Sequence, residues 1–403
     1  MLVYSFYESD NRVMRYARAL VGRGDQVDVI ALACEANQPA FEVLDGVNVH
    51  RIQHRQRNEK SKYDYFYRLA KFCLKSSFYL GRLHRKRKYD LVHVHNVPDF
   101  LVFSAWFPKM TGAKIILDIH DILPEFFASK FKRPAGSFLV RSLKWTEKVS
   151  AAFANHIILS NHLWLESYTA RSAGREKCSV FINHVDTSLF RPRPPGARNS
   201  QKPVVIFPGG LQWHQGVDIA IRAFDKLRHR LPQAEFHIYG DGNLKPQLMA
   251  LVESLGLQDR VRFFKPLRIK EIAAVMANAD LGVVPKRADS FGNEAYSTKI
   301  MEFMSVNVPV VVSSTKIDRF YFNESVVKFF ESGHADQLAD VMHEVLSDAK
   351  LREKMVQQAA GYVSQNSWEK QQVNYLALVD ALCGEEVVPS CCVWLASGER
   401  QSY

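Results

Sequence analysis

The stretch EAYSTKIMEFMSVNVPVVVS, residues 294–313, contains both kinds of segment that alternate along this chain. Ser297 or Thr298 can cap a helix, which the pattern predicts over 299–306. The apolar, β-branched run that begins at Val308 then predicts a buried strand. A polar loop, a helix and a strand in this order indicate one unit of a parallel α/β sheet.

The same alternation continues on both sides of this stretch. Strands are predicted to begin at Gln26, Asp90, Ala113, His156 and Ser179 in the first half, and at Val204, Glu235, Val261, Asp280, Val308 and Val326 in the second. Helices are predicted at 12–22 and 142–155. We therefore expect an α/β fold with two doubly wound Rossmann-like domains that face a cleft.

A proline-rich segment, 191–203, separates the two halves. It has four prolines and no hydrophobic period, so we predict a linker. The predicted domains are 1–190 and 204–365. A crossover helix at 366–385 is expected to pack on the N-terminal domain, and the tail 386–403 carries no readable pattern.

Composition limits the class of protein. The chain has 403 residues, of which 47% are hydrophobic and 24% charged, as in ordinary globular proteins. Its six cysteines form no CxxC or zinc-like spacing, which indicates reduced thiols. We recognise no signal segment and no apolar stretch of about 18–20 residues, so we expect a cytoplasmic protein. The net charge of +11 indicates an anionic partner.

The segment 62–89 concentrates basic and aromatic residues. Leu69 and Phe72 fall on one helical face, and Lys71 and Lys75 fall on another. A basic amphipathic helix indicates contact with an anionic membrane surface, although a packed helix with a solvated face gives the same pattern. We find no nucleic-acid reader motif, so nucleic acid is not an expected partner.

Glu294 and Glu302 lie on either side of seven residues. A retaining glycosidase needs two carboxyl groups roughly 5 Å apart, whereas eight helical residues rise roughly 12 Å. The two acids therefore cannot attack one carbon, but they can hold two parts of an elongated ligand. The helix N-terminus between them is a potential phosphate site, with Lys299 as an adjacent cation. A pair of solvated surface acids remains the alternative.

Seven segments, in the expected order, resemble the family-4 retaining glycosyltransferases of GT-B architecture. They are E-x7-E followed by FMSVNVPVVVS, RALVGRGDQVDVIAL from Arg18, YDLVHVHN from Tyr89, LDIHDILPE from Leu117, INHVDTSLFRP from Ile182, GGLQWHQGVDIAIRAF from Gly209 and YGDG from Tyr239. The resemblance implies a retaining, metal-independent hexosyltransferase-type enzyme without a cofactor. Its donor would be a nucleotide-diphosphate sugar, with UDP and GDP both open.

The resemblance also assigns residues to the donor. Glu294 would contact hydroxyl groups of the sugar near the reacting carbon, and Glu302 would accept from the ribose hydroxyls. Backbone amides around Tyr296, Ser297 and Thr298 would hold the diphosphate.

The loop that begins at Gly209 departs from the family pattern. Members usually carry Arg and Lys where this chain has Gly210 and Gln215. Both cations normally bind donor phosphates, and their loss removes charge-assisted hydrogen bonds. Lys299 is the expected replacement. Other candidate cations are Lys286, Arg287 and His214.

In the N-terminal half, His120 matches the family's active-site histidine, which lies near the transferred sugar. A hydrogen-bonded structural histidine is the alternative. Asp121 is an acceptor-side candidate, and so are Asp10 and Asn11, which stand where the family favours glycines and can cap a helix.

His93 and His95 alternate along a predicted strand and so point to one face. Such a pair can resemble metal ligation, but no third ligand is evident, so no metal site is predicted.

The predicted reaction is transfer of a sugar to a hydroxyl group of a lipid-linked glycan, in cell-surface polysaccharide or exopolysaccharide biosynthesis. Peripheral attachment at the inner face of the plasma membrane fits this role. Two alternatives stay open: a GT-B nucleotide-sugar epimerase, and a non-catalytic subunit whose donor site has decayed at Gly210 and Gln215.

Overall fold

The computed structural model describes residues 1–35, 37–55, 62–130, 134, 136–194 and 202–384. These residues form two compact units. The first comprises Met1–Asn183 and the described residues from Gln371 onward, and the second is His184–Lys370. The predicted linker 191–203 lies partly outside the described residues, and the predicted tail 386–403 lies wholly outside them.

The first unit is built on an eight-stranded sheet. Its strands are β1 (Leu2–Val3), β2 (Asp28–Ala33), β3 (Phe41–Leu44), β4 (Val47–His54), β5 (Leu91–His95), β6 (Lys114–Ile119), β7 (His156–Leu159) and β8 (Cys178–Val180). They lie in the order β3-β4-β2-β1-β5-β6-β7-β8. Strands β2 to β4 therefore lie on one side of β1, and β5 to β8 lie on the other side. Every pairing is parallel except that of β3 with β4.

The helices of the first unit form from segments whose apolar residues fall on one side. They are α1 (Asn11–Arg23), α2 (Lys62–Lys86), α3 (Trp106–Met110), α4 (Leu123–Lys130), α5 (Phe138–Phe153) and α6 (Leu163–Thr169). α2, α3 and α5 pack around the 3-10 helix Asp99–Ala105, and the buried sides of α2 and α5 join the core of the sheet. No helix in the described part of the chain is long and apolar enough to span a bilayer.

The second unit contains a six-stranded, wholly parallel sheet in the order β11-β10-β9-β12-β13-β14. The strands are β9 (Val204–Pro208), β10 (Glu235–Tyr239), β11 (Val261–Phe264), β12 (Leu281–Val284), β13 (Val310–Ser313) and β14 (Lys328–Phe330). The helices are α7 (Val217–Arg230), α8 (Lys245–Ser254), α9 (Ile269–Ala277), α10 (Thr298–Ser305), α11 (Lys316–Tyr321), α12 (Ala335–Ser347) and α13 (Ala349–Asn366). A last helix, α14 (Trp368–Cys383), begins in the second unit and belongs to the first unit from Gln371 onward.

The stretch 294–313 forms α10 and β13, as predicted. Ile300 and Phe303 are among the fully buried side chains of α10, and all of β13 is buried. A strand covered on both faces is continuously apolar, as in other parallel sheets. The predicted α/β class with two Rossmann-like units is confirmed.

The last helix, α14, is anchored in the first unit through Tyr375. Its ring is fully buried, with its centre 4.3 Å from that of Tyr16 on α1. The Tyr375 hydroxyl lies 3.0 Å from His93 Nδ1 on β5. One aromatic side chain thus ties the end of the chain to a helix and a strand.

We predict that Tyr375→Ala lowers the free energy of unfolding by about 3–5 kcal/mol, because it leaves a cavity and removes a buried hydrogen bond. Val373 is exposed on the same helix, so Val373→Ala should change the value by no more than about 0.5 kcal/mol. Urea unfolding of the full chain measures both. Equal effects of the two substitutions would show that Tyr375 is not an anchor.

Candidate functional site

In both units, polar residues collect at the carboxyl ends of the strands where the sheet order reverses. In the second unit these strands are β9 and β12. Doubly wound sheets bind ligands at such a point, because the loops there diverge and leave a crevice. The loop after β9 contains Gly209 and Gln215, and the segment after β12 leads into α10.

Lys299 reaches from the first turn of α10 to the loop after β9. Its Nζ donates to Gln215 Oε1 at 3.1 Å. A Cβ atom added to Gly209 would lie 2.4 Å from Lys299 Cε, and Gly209 has a φ of +145°. The close approach and the backbone conformation both favour glycine there. The structure therefore brings Gly209, Gln215 and Lys299 into one cluster.

Glu302 lies three residues after Lys299, so the two side chains are neighbours on the helix surface. Burial lowers the pKa of Lys299, and the charge of Glu302 partly opposes that shift. Burial likewise raises the pKa of Glu302, against the effects of Lys299 and a hydrogen bond with Thr298. Water is thus largely excluded from the cluster, so a charged group of a ligand would interact strongly with Lys299 and Glu302.

The remaining donor-side candidates surround the start of α10. Ser297 is the buried N-cap residue, although its side chain makes no capping hydrogen bond. The Tyr296 ring packs with its centre 5.0 Å from that of Tyr321. Glu294 precedes the helix, in a turn closed by its N–H donating to Phe291 O at 3.0 Å.

Gly210 follows Gly209 on the loop after β9. A Cβ atom added there would meet the side chain of Gln212. A side chain at position 210 would therefore point toward Gln212 of the same loop.

Two of the other candidate cations are already paired within the protein. Lys286 is buried, 2.9 Å from Asp318, and its Nζ donates to Ala295 O at 2.7 Å. Arg287 pairs with Asp218 at 2.7 Å. Both side chains hold the segment between β12 and α10 in place.

The third candidate, His214, lies on the loop after β9. Its ring meets Phe291 edge-on at 5.2 Å, and its carbonyl accepts from the backbone N–H of Arg287. The two loops are therefore tied together by backbone as well as side chains.

The first unit has its reversal between β1 and β5, and here the central group is Asp118 at the end of β6. Arg12 donates to both of its carboxylate oxygens at 2.7 Å. His95 Nδ1 lies 3.1 Å, and His120 Nε2 3.3 Å, from Asp118 Oδ2. Burial alone would raise the pKa of Asp118, but Arg12 and the histidines outweigh it and hold the pKa well below its usual range.

This ionised carboxylate orients His120. An ionised carboxylate only accepts hydrogen bonds, so it attracts the Nε2 side of the His120 ring, which also lies 3.1 Å from His95 Nδ1. The backbone is fixed too, because His120 N donates to Asn96 Oδ1 at 2.7 Å. Since its side chain is about one-fifth exposed, His120 can still meet a ligand.

A third potential metal ligand, which the sequence analysis did not identify, is Asp118. Its carboxylate and the ring nitrogens of His93 and His95 converge within 4.8 Å. Burial lowers the pKa of both histidines, so they stay neutral. The carboxylate, however, already accepts two hydrogen bonds from the Arg12 guanidinium. A divalent cation would face that positive charge, so we assign the group to an ion pair.

The acceptor-side candidates lie close to this group along the chain. Asp10 caps α1 by accepting from Val13 N at 3.2 Å, and it also accepts from Ser5 Oγ. Asn11 begins α1 and is exposed. Burial raises the pKa of Asp121, whose carbonyl accepts from Asn96 Nδ2. These residues and His120 belong to the first unit, and the donor-side candidates belong to the second.

Sequence reasoning missed the roles of Arg12 and Asp118. Both are charged residues at positions that the pattern places in a helix and an apolar strand. An acid inside an apolar strand is a usable signal, because such a group is buried only with a partner.

Two family models match consecutive parts of the chain. A glycosyl transferase 4-like domain matches residues 9–184, and glycosyl transferases group 1 matches residues 191–361. The chain belongs to the GT-B glycosyltransferases.

Individual relatives agree with this family. A glycosyltransferase of Methanocaldococcus jannaschii is 25% identical over 389 residues, which cover 91% of this chain and 93% of that protein. Sucrose-phosphate synthase from Thermosynechococcus elongatus has the same fold, with a TM-score of 0.74 at 18% identity over 95% of this chain and 98% of that one. Anabaena HepE, solved with UDP-glucose, gives 0.68 at 18% identity over 94% and 98%.

For this glycosyltransferase, we predict that Asp318→Ala lowers the free energy of unfolding by about 3–5 kcal/mol, because it strands the buried charge of Lys286. The matched control is Glu324→Ala, which removes an exposed partner of Arg319 and should cost at most about 1 kcal/mol. Denaturant titration compares the two variants. A loss below that of Glu324→Ala would contradict the structural role of the buried pair.

Proposed function

We propose that this glycosyltransferase moves a sugar from a nucleotide-diphosphate sugar to a hydroxyl group of a lipid-linked glycan, with retention of anomeric configuration and without a metal ion. The observation that carries the proposal is the cluster of Lys299 with Gly209 and Gln215 at the carboxyl end of β9. A single cation, a glycine loop and a helix N-terminus together fit a diphosphate.

The cluster suggests how the departing diphosphate is stabilised. Backbone N–H groups at the start of α10 and the Lys299 ammonium are fixed before the substrate arrives, so they can stabilise the charge that develops as the C1–O bond breaks. The acceptor oxygen forms the new bond to C1, and its proton passes to an oxygen of the departing diphosphate. Glu302 would hold the ribose hydroxyls, and Glu294 those of the sugar.

UDP is the favoured nucleotide in this proposal, since HepE is a structural relative solved with UDP-glucose. In the first unit, His120 would form a hydrogen bond with a hydroxyl of the transferred sugar. Arg12 and Asp118 would act through His120 by holding its ring. The retaining outcome is supported by the likeness of the segment from Glu294 to Glu302 to the retaining family.

Donor turnover tests the reaction class. We expect UDP to be released from a UDP-sugar only when a glycan acceptor is present, and activity to survive EDTA. NMR of the product should show the anomeric configuration of the donor. Sugar isomerisation without acceptor would identify an epimerase, and binding without turnover would identify a non-catalytic subunit. An inverted product or loss of activity in EDTA would contradict the corresponding part of the proposal.

We predict that Lys299→Gln weakens UDP binding by about tenfold to a hundredfold, because it removes one charge-assisted hydrogen bond worth about 1.5–3 kcal/mol. Adding Gln215→Lys to this variant should restore much of the affinity, since the new ammonium would start from the neighbouring position. Calorimetric titration with UDP measures both variants.

The control for this exchange is Lys350→Gln, at an exposed lysine of α13 in the same unit. It should leave UDP affinity unchanged, which excludes a general effect of net charge. Unchanged affinity in Lys299→Gln would remove the residue from the donor site. Loss without rescue by Gln215→Lys would show that the cation must start from α10.

A further inference from the structure

The outer side of α2 carries a second ordered stripe, opposite its buried one. Tyr67, Lys71, Leu74, Phe78, Arg82 and Arg85 recur at intervals of three or four residues and are all exposed. Leu74 is 74% and Phe78 75% exposed. Large apolar side chains that stay this exposed on one helix face mark a surface that contacts something apolar.

The outer side of α5 repeats this arrangement. Phe138, Arg141, Trp145 and Lys148 follow each other at intervals of three or four residues, with Phe138 87% and Trp145 66% exposed. Both stripes combine apolar or aromatic side chains with cations. We call the two stripes together the aromatic–basic face.

The segment between the two helices connects the stripes. Trp106, half-exposed at the start of α3, donates to Ser77 Oγ of α2 at 2.9 Å. Phe103 packs against Phe153 of α5 with ring centres 5.2 Å apart. α2 and α5 therefore belong to one helical layer, and their outer sides form parts of one surface.

Acidic groups do not neutralise this surface. The described acids of α2, α3 and α5 are Asp64 and Glu147. Asp64 pairs with Arg68 at 2.7 Å, and Glu147 is buried against Arg171. The exposed lysines and arginines of the two stripes thus keep their positive charge for an external partner.

We propose that the aromatic–basic face docks on an anionic lipid bilayer. Aromatic rings and snorkelling lysines and arginines are the side chains that suit the boundary between headgroups and acyl chains. A protein partner fits less well, because the centres of protein interfaces are depleted of lysine. Here Lys71 stands between Tyr67 and Leu74 on the α2 stripe, and Lys148 follows Trp145 on the α5 stripe. Docking of this face on a bilayer requires no nucleotide, so it is a property separate from the proposed sugar transfer.

The test is cosedimentation of the full chain with phosphatidylcholine vesicles, with and without phosphatidylglycerol. We expect salt-sensitive binding only when phosphatidylglycerol is present. Leu74→Ser with Phe78→Ser should weaken binding by more than about tenfold, because it removes the inserted apolar groups. Lys71→Gln with Lys148→Gln should weaken it by roughly fivefold per lysine.

Each variant has a control of the same chemistry. Met249→Ser with Val373→Ser removes two exposed apolar groups from α8 and α14, and Lys350→Gln with Lys354→Gln removes two exposed lysines from α13. Neither should change vesicle binding. Thermal unfolding of every variant, without vesicles, verifies that the first unit, which carries both stripes, is folded. UDP titration of the same variants separates this test from that of the proposed function.

Absence of binding to phosphatidylglycerol vesicles would overturn the proposal. So would equal binding to pure phosphatidylcholine, or binding that the two stripe variants leave unchanged. If the chain instead forms a dimer that Leu74→Ser with Phe78→Ser dissociates, and vesicles are not bound, the face belongs to a second copy of the protein.

Discussion

The buried ion pair between Lys286 and Asp318 is the constraint on which the proposed donor site of this glycosyltransferase depends. It ties the end of β12 to α11, and the same ammonium holds Ala295 O just before α10. Breaking such a pair would leave an uncompensated buried charge, so the segment has little freedom. The start of α10 is thereby fixed beside the loop after β9, and Lys299 can lie against Gly209 only because of that placement.

Most of the fold could be predicted because its strands are apolar on both faces and alternate with helices. The hairpin of β3 and β4 was not predicted. Its turn, Asp45-Gly46, has positive φ at both residues and is a common hairpin signal. Phe41 and Val43 are more than half exposed on β3. An antiparallel edge strand of this kind lacks the continuous burial on which the pattern rests, and was missed for that reason.

The sequence predicted the candidate residues of the second unit better than the buried charge pair of the first unit. Lys299 was identified because it lies inside the stretch that also carries the helix and both glutamates. The pairing of Arg12 with Asp118 joins residues 106 positions apart, and no local periodicity reports such a contact. The sequence signal for this pair is the energetic cost of burying a charge without a partner. That cost identifies Asp118 as a residue that needs a partner, but it does not identify Arg12 as the partner.

The partners of the cations near α10 distinguish structural from ligand-binding roles. Lys286 and Arg287 each meet a carboxylate, so an anionic ligand would have to replace an existing ion pair. The hydrogen-bond acceptor of Lys299 is the neutral amide of Gln215. Replacing this amide by a phosphate costs less interaction energy than breaking an ion pair with a carboxylate. The proposed donor site therefore keeps a cation, Lys299, although the family's usual lysine is absent at position 215. A glutamine there leaves room for the ammonium that α10 supplies.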